Sequence, residues 1–299
     1  MTTTQLQPTL HHLPCPDGQR LLAYWQWGAA ASSHVVLCVH GVSRQGRDFD
    51  VLARAMVEKT SVRVICPDVA GRGHSDWLPN PGNYQIPNYV ADTLFVLHTL
   101  HSQAPIRTLD WVGTSMGGLM GMVACGQPAL PLPVPVRKLV LNDVGPVLQW
   151  QALQRIGAYL GHSPHFETLQ QAADAMWERS TSFGPHTPEQ WLELSRHMVK
   201  EQGDGFALHY DPAIARSMQQ ITPESAAQDQ ATLWQLYDNI TAQTLLLRGA
   251  QSDLLSKETS QAMTQRGPRA QLEEFEGVGH APTLIADNQV SAVLRFLFT

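Results

Sequence analysis

A chain of 299 residues that is 43% hydrophobic and only 15% charged can bury a large core, and it is long enough for one α/β domain or one domain carrying an insertion. Its net charge of −6 and the lack of any basic run exclude a nucleic-acid surface. No stretch of about 18 residues is apolar without a charge or proline break, and the opening segment 1–18 lacks the basic start and apolar centre of a secretory signal, so no membrane is expected as a partner.

Residues 20–28 (RLLAYWQWG) alternate and end in glycine, as an early strand does. Residues 34–41 (HVVLCVHG) are almost continuously apolar, which suits a central strand buried on both faces of a parallel sheet. A helix is predicted over 49–58, a second buried strand over 62–68, an amphipathic helix over 89–101, and a strand over 106–113 that feeds a helix from Met116 to Cys125. The proline-rich 127–136 reads as an extended connector, and 136–145 (VRKLVLNDVG) as a further strand. Strands alternating with helices predict a doubly wound, mostly parallel sheet with helices on both faces. The rhythm then stops. From Leu148 to Gln235 only helical patterns are found, punctuated by Trp150, Tyr159, Trp177, Phe183, Trp191 and Tyr210. Strands resume at 242–253 and 271–280, and a helix over 288–298 ends the pattern. The predicted organisation is a core domain of residues 1–147 and 236–299, interrupted by an all-helical insertion at 148–235. Its aromatics are expected to form a small core of their own. Cys15, Cys38, Cys66 and Cys125 form no CxxC pair and read as reduced thiols of a cytoplasmic protein.

Four glycines surround Ser115 in DWVGTSMGGLMG (110–121). A serine hydroxyl is a weak nucleophile, and to react it must project into a cleft where a base can reach it. A sharp turn from strand to helix achieves this, but it leaves no room for side chains two residues before and after the serine. Gly113-Thr114-Ser115-Met116-Gly117 has that form, with a predicted strand before it and a predicted helix after. A base and an orienting acid must accompany such a serine. His280, in the glycine-flanked FEGVGHAP, supplies the base, and Asp253, past the strand LLLRG, the acid. All three lie beyond the C-terminal ends of predicted parallel strands, where the sites of open α/β sheets collect. Asp143, at the end of the strand VRKLVLN, is the alternative acid, and chain order does not separate the two. The backbone N–H groups of Met116 and Val42, the latter in VHGVSRQG, are expected to form an oxyanion hole. His40, Gly41, Arg44 and Trp150 are candidates for the substrate pocket. His40 reads more naturally as a loop-holding residue, and Arg44 either faces solvent or borders the cleft to meet an acidic substrate. His11-His12 and HSPH (162–165) lack a spaced carboxylate or cysteine partner, so no metal is expected, and no phosphate-cradling glycine motif is present.

Taken together, VHGV (39–42), DVAGRGHSD (68–76), GTSMGG (113–118), RGAQSD (248–253) and GVGHAP (277–282) resemble the α/β-hydrolase superfamily, in its order and over nearly the whole chain. The resemblance implies a cap domain at the insertion, a Ser-Asp-His triad and no cofactor, with Asp68 and Arg72 fixing their loop. Related dehalogenases and epoxide hydrolases carry aspartate where this chain has Ser115. Carbon–carbon hydrolases of the family carry asparagine before the nucleophile, where this chain has Thr114. The expected activity is therefore hydrolysis of carboxylic esters of small to medium apolar acyl compounds through an acyl-enzyme. The alternatives are a carbon–carbon hydrolase or acyltransferase with the same triad, and a slow-turnover ligand receptor on the same scaffold. The expected partner is a small ester or acyl compound, and the aromatic surface of the insertion would suit pairing as a homodimer.

Overall fold

The computed structural model describes residues 6–16 and 18–299, so the first five residues of the opening segment lie outside it. The chain begins with β1 (Thr9–Pro14), which pairs antiparallel with β2 (Leu21–Trp27). It continues through β3 (His34–Val39), α1 (Asp50–Lys59), β4 (Arg63–Asp68), α2 (Ile86–Gln103), β5 (Thr108–Thr114), α3 (Met116–Gly126) and β6 (Val136–Asn142). After the insertion come β10 (Gln243–Gly249), α9 (Lys257–Met263), β11 (Gln271–Phe275) and α10 (Asp287–Phe298). Eight strands form one sheet in the order β1-β2-β4-β3-β5-β6-β10-β11. The six strands from β4 to β11 run parallel, and β2 joins β4 antiparallel. The doubly wound fold is thus present, and β1, which the sequence did not announce, extends its edge.

The two faces of the sheet explain the continuous apolar runs. Along β3, Val35, Leu37 and Val39 pack into one core with Leu97 of α2 and Met120 of α3. Val36 and Cys38 point the other way, into a second core with Leu52 and Met56 of α1 and Val293 of α10. A strand buried on both faces gains about 1.5–3 kcal/mol for each large apolar side chain removed from water, at odd and even positions alike.

The segment between β6 and β10 holds α4 (Trp150–Leu160), β7 (His165–Phe166), α5 (Leu169–Ser180), α6 (Pro188–Arg196), β8 (Val199–Gln202), β9 (Gly205–Leu208), α7 (Ala215–Gln219) and α8 (Pro223–Asp238). It is not all-helical: β7, β9 and β8 make a small antiparallel sheet. The β8–β9 hairpin turns through Gly203, whose φ of 65° needs no Cβ, and Asp204. The strands are too short to show an apolar alternation: β7 has two residues, and β8 and β9 four each. Trp177, Phe183 and Trp191 form a local core, with the Trp177 and Trp191 rings 4.9 Å apart, whereas Tyr159 and Tyr210 pack into the main core. α8 runs through the expected boundary at residue 235 and packs on α3, where Asn239 Nδ2 donates to the Gly126 carbonyl.

Candidate active site

The turn from β5 into α3 holds Ser115 at φ 51°, ψ −114°. This is a left-handed conformation that a side chain rarely adopts. The close packing behind it accounts for the glycines. A Cβ on Gly113 would overlap the Gly117 carbonyl, and one on Gly117 would overlap the carbonyl of Val39 in β3. Trp111, fully buried on β5, donates its indole N–H to the Gly117 carbonyl at 3.0 Å and tightens the same corner. The Ser115 N–H donates to the Asn142 carbonyl of β6 at 3.0 Å.

His280, in the loop between β11 and α10, brings Nε2 to 2.9 Å from Ser115 Oγ and Nδ1 to 2.7 Å from Asp143 Oδ2. A carboxylate only accepts, so Nδ1 carries the proton and Nε2 presents its lone pair to the serine hydroxyl. Asn142 links the two sides: its Nδ2 donates to Thr114 Oγ1 at 2.9 Å and to the Pro282 carbonyl at 2.8 Å.

The expected contact between His280 and Asp253 is not made; Asp143 occupies that place. Asp143 follows β6, the immediate neighbour of β5, and turns inward at φ 54°. It is fully buried and also accepts from the Gly249 N–H at 2.9 Å and from Ser252 Oγ at 2.6 Å. Asp253 lies four residues beyond the end of β10. The turn closed by the Ser252 N–H on the Gly249 carbonyl carries it outward. There its carboxylate meets Arg155 of α4 in a two-pronged ion pair, both side chains close to half-exposed. Ser252 and Gly249 were not singled out in the sequence. Nothing local marks them, because their partner lies on another strand.

Beside the serine, the loop after β3 brings Gly41 against it: a Cβ there would sit 3.7 Å from Ser115 Cβ. Val42 follows. Met116, the first residue of α3, has no acceptor for its N–H within the helix. His40 does not line an open pocket. It is wholly buried, its Nδ1–H donates to the Gly41 carbonyl at 2.7 Å, and its Nε2 accepts from the Val69 N–H at 3.0 Å. Burial, outweighing the Gly41 bond, lowers its pKa to about 3, so it holds the loop as a neutral ring. Asp68 does similar work, accepting from the N–H groups of Gly46 and His74, and burial raises its pKa to about 6.

Arg44 is neither free in solvent nor free for a substrate. Its guanidinium grips Asp48 at 2.6 and 2.8 Å and reaches the Leu194 carbonyl of α6 at 3.4 Å. Trp150, at the start of α4, lines a groove of about 400 Å³ with Leu153, Met218 and Ile221, and neither Ser115 nor His280 is among its walls.

A doubly wound sheet, a strained serine between strand and helix, and a histidine bonded to both that serine and a buried aspartate define a hydrolase of the α/β class. The chain belongs to the alpha/beta hydrolase family, whose model matches residues 36–293. It is 44% identical over 295 residues to a 3-hydroxybutyrate-oligomer hydrolase of Cupriavidus necator, covering 97% of each chain. Among solved structures it resembles an alpha/beta hydrolase from Novosphingobium aromaticivorans (32% identity, TM-score 0.81, 97% and 98% of the two chains). A hydrolase from Rickettsia typhi is similar at 27% identity and a TM-score of 0.83, again covering 97% and 98%.

Proposed function

We propose that this hydrolase is a serine esterase that cleaves short oligomers of a 3-hydroxy acid, with Ser115 as nucleophile, His280 as base and Asp143 as orienting acid. The observation that carries the reading is the hydrogen-bonded chain from Ser115 Oγ through His280 to Asp143, at 2.9 and 2.7 Å. His280 Nε2 takes the hydroxyl proton as Ser115 Oγ attacks the ester carbonyl. The tetrahedral oxyanion points at the N–H groups of Val42 and Met116. Collapse expels the alcohol end of the oligomer, which receives the proton from His280, and leaves an acyl-serine. Water, deprotonated by the same ring, then releases the acid. Asp143 keeps the proton on Nδ1 and supports the imidazolium that forms in each half-reaction. The segment 148–235 acts as a cap over this site, tied to the core by Arg155–Asp253 and Arg44–Leu194.

The substrate class is supported by the Cupriavidus necator relative, whose match runs the length of both chains. Oligomers of 3-hydroxybutyrate are polyesters with a small methyl branch at each unit, and they fall within the small, fairly apolar acyl range expected for this chain. The test is hydrolysis of the 3-hydroxybutyrate dimer and trimer, and of p-nitrophenyl esters from acetate to decanoate, by wild type and Ser115→Ala. Wild type is expected to release monomer, with Ser115→Ala reduced about 10³-fold or more. Undiminished turnover by Ser115→Ala would overturn the nucleophile. Cleavage of p-nitrophenyl esters with inert oligomers would overturn the substrate class alone.

A further inference from the structure

Arg72, in the loop after β4, is fully buried. Its Nε donates to the Val42 carbonyl at 2.8 Å, its Nη1 to the Ala70 carbonyl at 2.8 Å, and its Nη2 lies 3.6 Å from Met116 Sδ. The faces of Tyr89 and Tyr84 lie 4.8 and 5.7 Å from the guanidinium carbon. Among the described residues no carboxylate lies within ion-pair distance of it. Taking a cation out of water is costly, and a loop that needed only packing would be served as well by an apolar side chain. Beyond its own loop and the two tyrosine rings, the guanidinium reaches Val42 and Met116. These are the pair whose N–H groups receive the oxyanion in the mechanism above.

We propose that Arg72 is the positioning residue of the oxyanion hole. Its bond to the Val42 carbonyl fixes the backbone turn that aims the Val42 N–H, and its contact with Met116 Sδ braces the second donor. Its charge stands behind both donors in a water-poor setting, where a developing anion feels it strongly. The same residue ties the hole to the inserted segment. Arg72 pairs with Tyr210 in an antiparallel bridge, flanked by the Gly73 N–H on the His209 carbonyl and the Asp211 N–H on the Gly71 carbonyl. Tyr84, whose ring lies over Arg72, donates its hydroxyl to Asp211 at 2.5 Å. Val42 therefore holds its place partly because residues 209–211 of the insertion hold Arg72.

This inference rests on the serine-esterase reading, and the experiment separates the two. Arg72→Met and Arg72→Lys are compared with wild type for kcat and KM on p-nitrophenyl butyrate. Affinity for butylboronic acid is measured by calorimetry. Its boron accepts Ser115 Oγ and leaves an anionic hydroxyl oxygen where the oxyanion would sit, so it reads the hole whatever the natural substrate. Wild-type turnover alone reads the esterase proposal; the ratio of variant to wild type reads Arg72. For Arg72→Met, kcat and boronate affinity are expected to fall together by about 10- to 100-fold, with KM within about 2-fold, as a small misplacement of catalytic groups produces. Arg72→Lys, which keeps the charge and one donor, is expected to recover part of both losses, and it serves alone if the methionine variant does not fold. A folded variant with kcat and boronate affinity within about 2-fold of wild type, or one whose loss lies only in KM, overturns the proposal.

Discussion

Asp143 is held in place by three donors from two parts of the chain: the His280 ring, and the Gly249 N–H and Ser252 hydroxyl of the turn after β10. Its carboxyl plane has little freedom, which is what a residue that orients an imidazole requires. Among the described residues Asp253 has a single side-chain partner, Arg155, in a solvent-exposed pair of a kind usually worth less than about 1 kcal/mol. The two carboxylates are thus separable by substitution. Asp143→Asn keeps the shape but, with its oxygen held by the Gly249 N–H, turns an NH2 donor toward His280 Nδ1 and favours the wrong tautomer, and it is expected to lower kcat about 10³- to 10⁴-fold. Asp253→Asn is expected to leave kcat within about 3-fold. Steady-state rates on one p-nitrophenyl ester decide it, and a reversed ranking would restore Asp253 as the acid.

At the scale of elements, the corner between β5 and α3 is over-determined by contact. Gly117 faces the Val39 carbonyl of β3 so closely that no side chain fits, and the obstacle is a central strand's backbone, which cannot swing away. Gly117→Ala is expected to cost about 2–3 kcal/mol, read from the urea midpoint, because strand and helix must part. An unchanged midpoint would mean the corner is looser than its packing implies. Such an element is readable from sequence because its demand is local: the glycines two residues either side of Ser115 are required by the turn they make. The strands β3 to β6 are readable for a related reason, since burial on both faces leaves a continuous apolar run. The acid partner of His280 is not. Ser115, Asp143, His280 and Ser115, Asp253, His280 have the same order along the chain. Only the sheet order, with β6 next to β5, and the outward turn at Ser252 distinguish them. The β8–β9 hairpin was hidden because strands of four residues, one polar (VKEQ) and one apolar (GFAL), are too short to carry a pattern, although Gly203-Asp204 is a hairpin turn in plain view. Arg72 lies in a motif read as loop-fixing, but its reach to Val42 and Met116 depends on two loops and the start of α3 meeting in space.

The whole molecule keeps several histidines neutral. Burial is the first cause in each case, lowering the pKa of His40 to about 3 and of His209 to about 4, and lowering His11, His74, His186 and His197 as well. Released in the unfolded chain, these rings would titrate near 6.5. Below that pH the unfolded state takes up protons that the native state refuses. The stability they contribute is therefore complete above about pH 6.5 and drains away as pH falls below it, through about 4 for His209 and about 3 for His40. Asp68 works in the opposite sense. Its pKa is raised from 3.8 to about 6, so what it contributes is present below 3.8 and lost as pH rises through 6, and Asp48, also raised by burial, acts the same way. Two carboxyls face six histidines across that window, and the histidines prevail. The melting temperature is expected to hold steady from pH 8 to 7 and then decline from pH 6.5 to 4.5, followed by circular dichroism at constant ionic strength. His40→Gln can still donate to the Gly41 carbonyl and accept from the Val69 N–H but does not titrate. It is expected to melt lower at pH 8 and to show a shallower decline on acidification. A melting temperature that stays flat or rises between pH 6.5 and 4.5 would mean that Asp68 and Asp48, rather than the buried rings, govern the acid response of the fold.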